Sequence, residues 1–149
     1  MIIFYMLFTW DSEFSVSIDE IDDQHQQYFK ITNKLGRFLE SFKKGDEVKL
    51  HLIFDELLNY AFYHLSTEEN YFSDCQYSGT ESHIAIHDVY RVKMRNYRQQ
   101  IREIDSGFYE LGVEVQNFAT EWLMNHIKHT DKLYVPTLTK CLNKKTDTK

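Results

Sequence analysis

Apolar and inward-type side chains return in alternating steps of four and three along four stretches of the chain. The first, over about residues 18–42, carries Ile21, His25, Tyr28, Thr32, Leu35, Leu39 and Phe42. The second carries Leu50, Ile53, Leu57, Tyr60 or Ala61, His64, Glu68 and Tyr71. The third reads His83, His87, Tyr90, Met94, Tyr97, Ile101 and Ile104, and the fourth Leu111, Val115, Phe118, Trp122 and His126. This rhythm is that of one buried face on an α-helix. Gly45-Asp46, Ser78-Gly79-Thr80 and Ser106-Gly107 punctuate the stretches, and Ser17-Ile18-Asp19-Glu20 fits a capping box at the start of the first. Connections this short force neighbouring helices to run antiparallel. The expected fold class is therefore all-α, an up-down-up-down antiparallel four-helix bundle with an extended N-terminal arm.

Composition narrows the picture without changing it. The 149 residues make about one domain, with an arm over 1–17, a bundle over 18–140 and a frayed tail over 143–149. One proline and five glycines leave few turns for a β-sandwich or barrel. A net charge of −6 argues against a nucleic-acid partner. The opening MIIFYMLFTW lacks a basic flank and is shorter than the roughly 20 residues a membrane span needs, so no membrane is expected. It reads instead as an arm anchored by Trp10, Phe14 and Val16. Two cysteines, Cys75 and Cys141, make no disulfide framework, and a reduced, cytoplasmic protein is the simplest expectation. Cys75 reads as a structural or idle cysteine, with a redox thiol as the alternative.

The histidines change the picture. Five of seven fall on inward positions, with at least one on each helix. His64-x-x-x-Glu68 and His83-x-x-x-His87 each place two donors on one helix face. Burying so many titratable groups is costly unless a cation compensates, and imidazole with carboxylate suits iron. His126 and Asp131 stand five residues apart, about 140° around a regular helix, so they converge only if the helix loosens or ends between them.

Trp10-Asp11, Asp22-Asp23-Gln24-His25, His64-x-x-x-Glu68-Glu69, His83-x-x-x-His87 and Trp122-Leu123-x-x-His126-Ile127-x-x-x-Asp131-x-x-Tyr134 together resemble the hemerythrin family, in its single-domain bacterial form, over about residues 10–140. The resemblance implies a non-haem di-iron centre. His83, His87 and His126 would hold one iron and His25 and His64 the other. Glu68 and Asp131 would bridge them together with an oxo or hydroxo group. It further implies dioxygen as the ligand, in a pocket lined by Leu65, Trp122, Leu123 and Ile127, with Tyr134 supporting a bridging carboxylate. Tyr28 departs from the aliphatic residue usual in relatives and either offers its hydroxyl to that pocket or packs in the core. Glu69, about 100° from Glu68, reads as an exposed acid, and His51 and His129 match no ligand position.

Reversible oxygen binding for storage or delivery in the cytoplasm, without enzymatic activity, is the function so implied, with an oxygen-consuming protein as an unidentified partner. Oxygen or redox sensing, a di-iron oxidase or nitric-oxide-handling activity, and simple iron handling are the alternatives.

Overall fold

The structure is a computed structural model and describes residues 6–148. Five α-helices follow in order: α1 (Asp19–Glu40), α2 (Glu47–Asp74), α3 (Thr80–Glu103), α4 (Phe108–His129) and α5 (Val135–Thr146). Short 3-10 turns occupy Ser12–Phe14 and Asp131–Leu133, and there is no strand among the described residues. The first four helices form the bundle. α1 lies between α2 and α4, and α3 packs on α2.

The inward stripes become the core. Ile21, Leu35, Leu50, Leu57, Ala119, Leu123 and Ile127 are essentially inaccessible, and each buried Leu or Ile side chain contributes about 1.5–3 kcal/mol. α3 and α4 stand further apart because aromatic rings fill the space between them. Tyr90 stacks on Trp122 at 3.9 Å, and Tyr97 meets Phe118 at 5.6 Å. α4 instead approaches α1 closely at Gly112, where an added Cβ would lie 2.7 Å from Leu39 Cδ2. Gly107, at φ 77°, supplies the left-handed residue that starts α4.

Several expectations are corrected. Ser17 is not a cap: its φ is 61° and Ile18 occupies the cap position without a side-chain hydrogen bond. Asp22 instead reaches back to accept from Ser15 Oγ at 2.5 Å and Val16 N at 2.8 Å. The C-terminal segment adds a fifth helix that runs to Thr146. Pro136 stands in the first turn of α5, where its missing N–H costs nothing and its fixed φ favours the helix.

The N-terminal arm is tied down on one side of the bundle. Phe14 and Val16 are buried, and Trp10 is half-buried beside Phe14. Phe8 stacks on Phe29 and exchanges backbone hydrogen bonds with the Asn33 amide. Gln116, from inside α4, bonds both backbone groups of Met6. The first five residues of the apolar opening lie outside the described residues.

No described helix is long and apolar enough to cross a membrane. The two cysteines contradict the expectation of free thiols: Cys75 and Cys141 form a disulfide, with their Cα atoms 5.7 Å apart. Sequence separation hid this pairing, because α5 must fold back on the end of α2 to bring them together.

Candidate metal centre

The seven residues His25, His64, Glu68, His83, His87, His126 and Asp131 meet in the interior of the bundle, toward the end where α2 finishes and α3 begins, each at most 4% exposed. α1 supplies His25, α2 His64 and Glu68, α3 His83 and His87, and α4 His126. Asp131 follows the end of α4. The helix stops at His129, Thr130 turns at φ −118° and ψ −55°, and the next 3-10 turn swings the carboxylate back. Its Oδ1 thus comes within 2.9 Å of His126 Nε2, the convergence that five residues of regular helix would forbid.

The donor atoms fall into two groups. His83, His87 and His126 point their Nε2 atoms at one another, 3.1 Å and 3.2 Å from the shared His126 nitrogen. His25 and His64 lie side by side, ring centroids 4.5 Å apart. Both carboxylates divide their oxygens between the groups. Glu68 turns Oε1 to His25 and His64, 3.7 Å from each, and Oε2 to His87 at 3.2 Å. Asp131 turns Oδ1 to His83 and His126, at 3.2 Å and 2.9 Å, and Oδ2 to His25 at 3.3 Å.

Nearness here is not pairing. Among these atoms, His25 Nε2, His64 Nε2, Glu68 Oε2 and both Asp131 oxygens lack a properly directed hydrogen bond although fully buried. Each unpaired buried polar group costs roughly 1–3 kcal/mol. Donors with lone pairs aimed at a common centre, rather than at each other, fit metal ions between them. Glu68 with His83, His87 and His126, and Glu68 with His25 and His64, each gather within 4.8 Å.

Outer partners hold two of the rings in the required tautomer. His64 Nδ1 donates to Gln24 Oε1 at 3.0 Å, while the amide nitrogen of Gln24 donates to Thr67 Oγ1 at 3.2 Å. His87 Nδ1 donates to Glu69 Oε1 at 2.9 Å, and Arg91 braces the same oxygen at 2.8 Å. Each bond leaves Nε2 free to face the centre. Glu69 is therefore no exposed acid: its side chain is 22% exposed and reaches across to α3. The 100° angle describes its Cβ direction but ignores the length of the side chain. Glu69→Ala should weaken metal binding about 10–100-fold, read by competition with a chelator.

The remaining expected residues are also placed. Leu65, Leu123 and Ile127 are buried. Trp122 is half-buried and stacks on the His126 ring at 4.3 Å. Tyr134 donates to Glu68 Oε1 at 2.7 Å. The Tyr28 hydroxyl pairs with that of Tyr90 and lies 3.4 Å from the Ala119 carbonyl. Tyr28→Phe should accordingly cost about 1–3 kcal/mol in urea unfolding, because Tyr90 loses its buried partner. His51 packs near Phe108 and His129 is exposed, and neither joins the cluster.

Charge balance in the metal-free cluster follows from burial opposed by the two carboxylates. Burial disfavours the charged form of His25, but the neighbouring carboxylates of Asp131 and Glu68 overcome it and raise the ring to about 9. His87 is likewise raised to about 9, by Glu68 and Glu69 against burial. Burial wins at His64, which falls to about 3 and stays neutral. Both Glu68 and Asp131 resist burial and are held below the usual carboxylate range by the surrounding histidines. Raised imidazoles stabilise the metal-free fold below about pH 6.5 and lose that contribution as pH rises through 9. Metal uptake at pH 7.5 should then release about two protons per chain, from His25 and His87, measurable in a weakly buffered solution.

Bundle and cluster together define a metal-binding helical protein built on histidine and carboxylate donors. The family description "Hemerythrin HHE cation binding domain" matches residues 16–138. A bacteriohemerythrin of Clostridium acetobutylicum is 32% identical over 130 residues, covering 87% of this chain and 99% of the relative. One from Methylococcus capsulatus is 29% identical, covering 89% and 97%. A crystal structure of wild-type hemerythrin superposes with a TM-score of 0.78 at 28% identity, covering 89% of this chain and 98% of that one. The chain belongs to the hemerythrin family and is a hemerythrin-type non-haem iron protein.

Proposed function

We propose that the protein holds two irons and binds dioxygen reversibly, as a storage or delivery protein and not an enzyme. The observation that supports this most is the division of each carboxylate between the two histidine groups. His83, His87 and His126 would hold one iron, His25 and His64 the other, and Glu68 and Asp131 would bridge them. The unequal histidine count leaves the second position with fewer protein donors, the natural place for an external ligand.

A bound iron pair supplies reversible electron exchange with dioxygen; the rest is the work of side chains. Five imidazoles and two carboxylates give a donor set with little negative charge, which favours reversible binding over further oxidation. Leu65, Leu123 and Ile127 keep the interior apolar and limit water and proton access. Tyr134 holds one Glu68 oxygen, and Gln24 and Glu69 fix two ring orientations. Trp122 covers the outer face of His126.

The test is an optical spectrum of reduced, iron-loaded protein as dioxygen is admitted and then removed. A band that appears and disappears with the gas supports the reading. An unchanged spectrum, an irreversible one, or steady consumption of dioxygen with a reductant overturns it. Work in the cytoplasm belongs to the same reading, and there a disulfide is expected to be exchangeable rather than permanent.

A further inference from the structure

α2 and α5 face each other through matched stripes. On α2 and the chain before and within α5, Glu68, Phe72 and Cys75 repeat at four and three residues, as do Tyr134, Leu138 and Cys141. Tyr134 bonds Glu68 at 2.7 Å, its ring lies 5.3 Å from that of Phe72, Leu138 is fully buried, and the cysteines close the far end as a disulfide. Asp131 stands three residues before Tyr134. One covalent bond thus fastens the segment that delivers Asp131 and Tyr134 to the cluster.

That bond is not sealed inside the protein. It lines a groove of about 600 Å³ shared with Asp74, Gln76, Pro136, Thr137, Lys140 and Lys144. The groove runs from the C-terminal end of α2 along α5, no histidine lines it, and both cysteines are only half-buried. Its charges are unequal. Lys140 and Lys144 belong to the Cys141 side, whereas Asp74 and the C-terminal end of α2 adjoin Cys75. Cations stabilise a thiolate, while a carboxylate and a helix C-terminus disfavour it.

We propose that Cys75–Cys141 is a thiol–disulfide exchange site for a dithiol reductant, and that its state sets how firmly the segment carrying Asp131 and Tyr134 is held. A thiolate of the dithiol attacks Cys75 Sγ, the Sγ–Sγ bond breaks, and Cys141 leaves as a thiolate beside the lysines. The second thiol of the reductant then displaces Cys75, so the dithiol is oxidised to its disulfide and both cysteines are reduced to thiols. The exchange step rests on the groove alone. Its consequence for the cluster rests on the metal-site reading above.

The two parts are tested separately on the full-length protein. Folded protein purified in air is treated with dithiothreitol without denaturant, then alkylated and weighed. No alkylation before treatment, and two alkylated cysteines after it at a rate proportional to dithiothreitol, are expected. Replacing both Lys140→Gln and Lys144→Gln should slow the reaction several-fold. Free thiols at the outset, a rate that saturates at the global unfolding rate, or no effect of the lysine changes overturns the exchange site. For the second part, amide hydrogen exchange across residues 131–141 should be at least tenfold faster in the reduced protein, and should speed up by a larger factor there than in the middle of α3. Equal exchange in both states overturns the coupling, whether or not the protein binds dioxygen.

Discussion

Glu68→Ala should reduce the iron content of protein made with ample iron from about two per chain to well below one, with the helical circular dichroism retained. Both histidine groups face this one side chain: Oε1 lies 3.7 Å from His25 and His64, and Oε2 lies 3.2 Å from His87. Its removal takes a negative charge from between five imidazoles and leaves the Tyr134 hydroxyl without its acceptor. His51→Ala and His129→Ala, at residues outside the cluster, should keep the parent iron content. Elemental analysis decides between outcomes. A parent protein with about one iron, or equal losses in all three variants, would show that the two groups do not act as one site.

The second large effect concerns stability. Converting both Cys75→Ser and Cys141→Ser should cost about 4 kcal/mol. The bond closes a span of 66 residues, and the chain-entropy relation assigns a loop of that size this order of stabilisation. For a chain of this length each kcal/mol moves the melting temperature by roughly 2–4 °C, so a fall of about 10 °C is expected in metal-free protein. Calorimetry of the parent and the double variant under non-reducing conditions measures it. A difference under about 2 °C would mean that the unfolded chain gains little freedom when the bond is absent.

Four helices and six of the seven cluster residues were legible because each relies on local periodicity. A donor four residues from another shares its face wherever the helix goes. Asp131 was legible only as a conditional, since its convergence with His126 needed the helix to end, as it does at His129. What escaped depends on reach or on distant packing. Glu69 was misplaced because an angle on a helical wheel does not describe a long side chain that crosses to His87. Gln24 stood beside His25 in the sequence, but its partner is His64, forty residues away. Ser17 had the composition of a cap, yet Asp22 took over the backbone of that turn. The disulfide needs two elements to meet across 66 residues of sequence, a distance that local periodicity does not bridge.

The position of Asp131 also ties the site to the order of synthesis. A nascent chain that has emerged only as far as the end of α4 already displays His25, His64, Glu68, His83, His87 and His126. It holds every nitrogen donor and one carboxylate, but neither Asp131 nor the Tyr134 hydroxyl that steadies Glu68. Asp131 is therefore made after every other member of the cluster. Until the ribosome has delivered that turn, the histidines lack their second carboxylate, so the seven-residue cluster cannot close.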